Sequence, residues 1–483
     1  MSADLCDGST FSPHTYIEVL IEYLLQVTNS ESWIEFIIQV FIESTAFTRQ
    51  DKIIALELIG ASKLTSSFFD PISALKCWRE AMTLRFNPAD GEPLLKIPAV
   101  CVVSAASSVV FGSATEVATM EELDLLQEDV EHNFESFDHV FLLSCVKRMK
   151  IQALLVTRRI SNQAGLEHPY LLYLTGLCNF ADVFEREETS LRERKTLINI
   201  YLLILEQLNG FDPTLLPRKT FDVFNTAICL LSNLFCELLE KEADSPEREE
   251  LTFKNLLSPT ECISTISKFF SDPAKISSVE FEDTVKFQYF SFPKIVNRFL
   301  IVLDAISPQM SNQEKQKLEE YYSYYIRNFF PDQTVTVLHE AIDLFWFFDF
   351  NLHPNVINTI NLIIKLGGNP NAVDEDGQTL LHILAGDRSF LLDECSVPII
   401  RALVDAETHL DRATHSGETV IGILKENLLS IKESGEIALP YFESLVNTVF
   451  PLKCYCARVI RRHGIPFGED RIPSHLQGFV AMH

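Results

Sequence analysis

The tightest grouping of side chains able to ligate metal or act as nucleophiles is Cys454 and Cys456 in "KCYCARVIRRHG", with His463 a short way downstream. A structural zinc site needs four such ligands, usually as two separated pairs, and no second Cys/His pair stands at zinc-finger spacing from this one. Isolated Cys act mostly as small apolar side chains, so no metal is assigned. The chain also lacks a glycine-rich phosphate loop, a His-Glu-x-x-His helix and a Gly-x-Ser-x-Gly elbow. Scattered Ser, His and Asp form no triad by spacing. No catalytic residue and no cofactor follow, and the chain reads as a non-enzyme.

What remains is a scaffold and the faces it presents. With 67 acidic against 40 basic residues the net charge is −27, a field that repels nucleic-acid backbones and anionic membranes. The 11 Cys are odd in number and mostly dispersed, and no apolar leader-like run follows Met1, which points to a reducing compartment, cytoplasmic or nuclear. A composition of 47% hydrophobic residues with 17 Gly and 21 Pro leans towards packed helices. Ile97 to Thr115 carries no charge over nineteen positions, but Pro98, Gly112 and four Ser argue against a membrane span. A buried helix rich in small residues is expected there.

Apolar residues recur at helical spacing from Tyr16 to Thr48, predicting two helices joined at Asn29 and Ser30. Lys52 to Arg85 then predicts a helical hairpin with a Ser/Phe/Asp/Pro turn. Leu58 and Gly60 in its first helix, with Ala74, Trp78 and Ala81 in its second, resemble a tetratricopeptide unit. Small residues at such places let two helices approach, and the aromatic fills the groove between them. Thr115 to His139 holds nine acidic residues and no basic one, which fits either a solvated helix face or a docking surface for a basic partner. "LEHPYLLYLTGLCNFADVFERE" and "LINIYLLILEQLNGF" predict another helical pair, and long helices follow from Ala227 to Lys241. Glu242 to Glu250 reads as a polar linker.

From about Thr334 the texture changes to three successive ankyrin-like elements. The middle one is the most specific, with Gly367 to Ala372 resembling the hairpin before a repeat and Asp376, Gly377, Thr379, Leu380, Leu381 and His382 resembling its opening. In such a motif the Thr hydroxyl and His ring bond the tight turn at the helix start, and Gly supplies positive φ. His339 and His382 are therefore structural rather than metal ligands. His339 to His382 is 43 residues and Gly377 to Gly417 is 40, longer than the ~33 of an unmodified repeat. The third element is the most degenerate, with Val420 and Ile421 after its Thr.

The segment Pro451 to His483 carries two apolar stripes. Leu452, Cys456 and Ile460 at i, i+4 and i+8, with Val459 at i+7, share one helix face, while Arg458, Arg461 and Arg462 lie off it. Gly464 and Pro466 end that helix. Ser474 and Gln477 predict a capping box for a second helix, on which Leu476, Phe479 and Val480 line one side with Ile472 just before it. By spacing alone, both helices could simply pack on the chain's own repeats.

Pro451-Leu452-x-x-x-Cys456-x-x-x-Ile460 resembles the elongin-binding (BC) box, and Ile472-Pro473-x-x-Leu476-x-x-x-Val480 resembles the cullin-2 box that follows it. In that order, behind an ankyrin-like stretch, with the "LELIGAS" to "ALKCWREAMTLR" hairpin upstream, they are similar to the feminization-1 (Fem-1) family of substrate receptors. The resemblance implies an all-α helical-repeat array: amino-terminal helices over 1–50, a tetratricopeptide-like region over 51–330, degenerate ankyrin repeats over 331–430 and the terminal box over 440–483. It implies a non-catalytic receptor of a cullin-2 RING ubiquitin ligase that presents proteins bearing degrons. Leu452, Cys456, Val459 and Ile460 would bind elongin C, itself paired with elongin B. Ile472, Pro473, Leu476 and Val480 would meet cullin-2. The family's long amino-terminal ankyrin run has no counterpart before Lys52, so no substrate-binding residue is carried over. A helical-repeat interaction scaffold outside the ubiquitin system is the competing expectation.

Overall fold

The structure is a computed structural model. It describes residues 47–65, 69–87, 89, 91–98, 100, 102–136, 139–164, 167–185, 190–209, 218–242, 244–270, 292–328, 337–347, 353–394, 396–436, 439–447, 452–467, 471–473, 476–477 and 479–480. The helices expected between Tyr16 and Thr48 lie outside the described residues, apart from Phe47 and Thr48. Among the described residues the chain is all-helical, with 19 α-helices and no β-strand. It forms two compact units, Met1–Leu231 and Ser232–His483.

The first unit is built on a hairpin of α1 (Arg49–Thr65) and α2 (Pro71–Phe86), close to the predicted bounds. The Asp70 carboxylate caps α2 by accepting from the Ser73 N–H at 3.0 Å, and Pro71 occupies the first turn, where its missing N–H costs nothing. Gly60 sets the spacing of the two helices. A Cβ there would stand 2.5 Å from Trp78 Nε1, so only glycine lets the edge of the indole reach α1 and donate to the Glu57 carbonyl at 3.2 Å.

The stretch expected as one buried helix is shorter and partly open. Only α3 (Ala105–Phe111) is helical, started by a Ser104 capping box and closed at Gly112, whose φ is 54°. Ahead of it the chain runs without regular structure from Pro93 to Pro98, with Leu95, Ile97, Val100, Val102 and Val103 exposed. The prolines explain this, since each lacks an N–H and biases the preceding residue away from helix.

Next come α4 (Met120–Ser136), α5 (His139–Ala164), α6 (Glu167–Glu185) and α7 (Leu191–Leu208), the last two matching the predicted pair. Helix α1 packs on α2, α5 and α6, and α4 packs on α2 and α5. Leu58, Trp78, Leu123, Leu126, Met149 and Val156 meet in the resulting core. In the acidic stretch Glu121, Glu122, Glu128 and Glu131 are exposed. Asp124 pairs with Arg79 at 2.6 Å, Asp129 pairs with Arg148 at 2.8 Å, and Glu116 is buried. That is a solvated helix face with its own counterions.

Helix α8 (Arg218–Glu240) is long and apolar enough to cross a membrane by length and composition. Its buried residues Phe221, Phe224, Ala227, Ile228, Leu231, Phe235 and Leu238 recur every three or four positions, the pattern of an amphipathic core helix. The polar linker after it folds as a 3₁₀ turn, Pro246–Glu250. In the second unit, α9 (Phe253–Phe270), α10 (Phe292–Ile306), α11 (Asn312–Asn328), α12 (Val337–Phe347) and α13 (His353–Lys365) follow. Helix α9 pairs with α11, while α10, α12 and α13 pack mutually.

The ankyrin-like end continues with α14 (Leu380–Gly386), α15 (Arg388–Leu392), α16 (Ser396–Asp405) and α17 (Val420–Glu433). Thr379 and His382 form the reciprocal box expected of them, with Nδ1 of His382 2.8 Å from the Thr379 hydroxyl and 3.1 Å from its N–H. The other ring nitrogen reaches the Arg412 carbonyl at 3.0 Å and so ties this repeat to the next. Burial pushes His382 below its usual pKa and does the same to His339, keeping both neutral as such roles require. The two repeat hairpins stack through Asn371: its carboxamide oxygen accepts from His409 N–H at 2.9 Å and its carbonyl from Arg412 at 2.6 Å. Gly367, Gly377 and Gly417 all have positive φ at the predicted turns. In the degenerate third element Thr419 still caps, accepting from Gly422 N–H at 3.1 Å, while Val420 and Ile421 are buried.

Candidate functional site

Two short helices lie near the end of the described residues: α18 (Pro440–Val446), which packs on α17, and α19 (Leu452–Arg462). α19 ends as its sequence predicts. The His463 N–H donates to the Val459 carbonyl at 3.1 Å, the Ile465 N–H to the Ile460 carbonyl at 2.9 Å, and Gly464 takes a φ of 57°.

α19 buries the opposite face from its stripe. Cys454 and Ala457 are turned inward and buried, whereas Leu452 is 76% exposed, Val459 52% exposed, Cys456 exposed and Ile460 half-buried. At 3.6 residues per turn these four lie within an arc of roughly 100°, with Cys454 and Ala457 on the other side. An isolated exposed leucine is ordinary, but a leucine and a valine on one contiguous face, flanked by the exposed Tyr455, form a surface left uncovered among the described residues. Because Cys454 is buried and Cys456 exposed, the two thiols face opposite ways and do not converge on one ion. No cluster of three potential metal ligands occurs among the described residues.

The second stripe behaves differently. Ile472 and Leu476 are half-buried and Pro473 is exposed, but Val480 is only 4% exposed. Phe479 stands edge-on to His409 with centroids 6.0 Å apart, and Lys453 Nζ lies 5.0 Å from the same ring. This end of the segment therefore packs on the third ankyrin-like element and on α19. Helical backbone is present at Leu476, Gln477, Phe479 and Val480. Ser474, and with it the predicted capping box, lies outside the described residues, while Gln477 Nε2 donates to the Ile472 carbonyl at 3.2 Å.

Sequence reasoning missed a buried ionic cluster in the first unit. Glu57 of α1 accepts from Arg159 of α5 at 2.6 Å and from Arg85 of α2 at 3.1 Å, with Lys96 Nζ 3.5 Å away. Glu116 accepts from Lys96 at 2.9 Å and from Arg159 at 3.0 Å. Burial alone would raise the Glu57 carboxyl, but the fields of Lys96, Arg159 and Arg85 outweigh it and hold the pKa at about 2. The one sequence signal was a glutamate on the apolar face of a helix, in "IALELIGA".

No protein-family model matches the chain. Among curated proteins it is similar to fem-1 homolog A of Rattus norvegicus, with 24% identity over 445 residues covering 90% of this chain and 58% of that protein. It is likewise similar to fem-1 homolog C of Homo sapiens, with 25% identity over 454 residues, 90% of this chain and 61% of the relative. The chain thus spans about three-fifths of the length of the curated relatives it matches. Similarity over nine-tenths of an all-helical chain, with hairpin, ankyrin-like repeats and terminal segment in the expected order, makes this a chain that resembles the Fem-1 family.

Proposed function

We propose that the chain is a non-catalytic substrate receptor of a cullin-2 RING ubiquitin ligase, recruited through elongin C and elongin B and presenting degron-bearing proteins for ubiquitination. The observation that carries this reading is the outward stripe of α19, since a helix that buries Cys454 and Ala457 yet leaves Leu452 76% exposed has a face for another protein. Leu452 would be the anchor in elongin C, Cys456 a small side chain that allows close approach, and Val459 and Ile460 the edge of the contact. Ile472, Pro473 and Leu476 would meet cullin-2, with Val480, buried in the chain's own fold, fixing their presentation. Similarity to Fem-1 proteins supports the adaptor role.

Coexpression with elongin B and elongin C tests this directly. The wild-type chain is expected to co-purify with both, and Leu452→Asp to abolish recovery while leaving helical content unchanged, because the side chain is exposed. Recovery undiminished by Leu452→Asp would sink the assignment. The burial of Val480 and the contact of Phe479 with His409 favour a second reading, a helical-repeat scaffold whose terminal segment serves its own stability. On that reading the wild-type chain co-purifies with neither elongin.

A further inference from the structure

The ionic cluster of the first unit is unbalanced. Arg85, Lys96 and Arg159 converge on Glu57 and Glu116, three cations on two carboxylates, and all five side chains are at least nine-tenths buried. Among the described residues no third carboxylate lies within ion-pair distance of Arg85, Lys96 or Arg159. Each cation touches a carboxylate, yet the five groups together keep one net positive charge out of water, which is costly to hold in a fold. It sits, moreover, in a chain of net charge −27.

The cluster opens on a cavity. A space of about 400 Å³ is lined by Arg85, Lys96 and Arg159 and by an apolar wall of Leu94, Leu95 and Ile97. Leu95 and Ile97 are 72% and 70% exposed, so the apolar wall reaches out to solvent. The extended run Pro93 to Pro98 that carries this wall is held by Arg85 Nη1, which donates to the Leu94 carbonyl at 3.1 Å. Lys96 Nζ also donates to the Val117 carbonyl at 2.8 Å, so its ammonium is fixed in place at the cluster.

We propose that this cavity is a binding site for a carboxylate carried on an aliphatic chain, the anion completing the charge of the cluster and the chain lying on Leu94, Leu95 and Ile97. The charge decides between anions. One positive charge is in excess, which a carboxylate matches, whereas a phosphate monoester at neutral pH brings roughly −1.5 to −2 and would overshoot. The site is independent of the terminal helices and stands whether or not these bind elongin and cullin.

Titration of the full chain by calorimetry with hexanoate, hexylamine and inorganic phosphate tests the site. Hexanoate should bind, hexylamine should not, and phosphate should bind more weakly than hexanoate. Lys96→Met leaves two cations on two carboxylates and should weaken hexanoate by at least about tenfold, the loss expected for one charge-assisted contact. Should Lys96→Met fail to fold, Leu95→Glu serves instead, since this exposed residue puts a negative charge at the rim without touching the core and should also weaken hexanoate. Absence of hexanoate binding, or binding unchanged in the folded variants, overturns the site. Phosphate binding as tightly as hexanoate overturns the carboxylate assignment.

Discussion

Gly60 and Trp78 act as one joint. A methyl group at position 60 would lie 2.5 Å from Trp78 Nε1 and 3.0 Å from the Ala74 carbonyl oxygen, so both a ring and a backbone would have to move. Alanine in a helix gains roughly 1 kcal/mol over glycine by propensity, while overpacking a tight contact costs about 1–3 kcal/mol. The clash wins in this setting, and Gly60→Ala should lower stability to denaturant despite being the better helix former. A midpoint at or above wild type would show that the hairpin can slide apart. Gly60, Ala74, Trp78 and Ala81 were legible in the sequence because their sizes and spacing are local to two adjacent helices. The ionic cluster was not, because Glu57 and Arg159 are brought together from positions 102 residues apart and nothing in local periodicity records such a partner.

At the scale of elements, the ankyrin-like repeats are joined by neutral imidazole. His382 links its own helix start to the Arg412 carbonyl of the following repeat, and burial lowers its pKa from the usual 6.5. The folded state then binds fewer protons than the unfolded chain as pH falls, so this contribution is full above pH 6.5 and is lost below it. His382→Ala should cost about 1–3 kcal/mol at pH 8 by leaving buried groups unpaired, and should flatten the fall in stability on acidification. Thermal unfolding on both sides of pH 6.5 measures this, and a variant as pH-sensitive as wild type would assign the dependence elsewhere, His339 included. The repeats were readable from motif residues, whereas Ile97 to Thr115 was misjudged from composition. Absence of charge suggested burial, yet Pro98 and the Ser104 cap confine the helix to Ala105–Phe111 and leave valines in solvent.

For the molecule as a whole, the helical-repeat character makes stability a sum of neighbouring contacts. Removing 451–483 deletes the buried Cys454, Ala457 and Val480 and the contact of Phe479 on His409. Amide exchange should therefore quicken in α16 and α17, with α1 and α2 protected as in the full chain. Equal loss of protection in α1 and α2 would mean that the chain unfolds as a single cooperative body. The order of the parts could be read in advance because each repeat is encoded locally. Which face of α19 turns outward could not, since the stripe and its reverse are both compatible with helical spacing and only the packing of Cys454 and Ala457 decides.

That choice of face also bears on how the free polypeptide fares. A leucine and a valine held in water invite self-association and capture by chaperones that survey newly made chains for greasy surface. On the proposed reading, a chain synthesised in excess of the protein that covers α19 would be an orphan subunit, and its steady-state abundance would follow the supply of that companion more closely than the output of its own message.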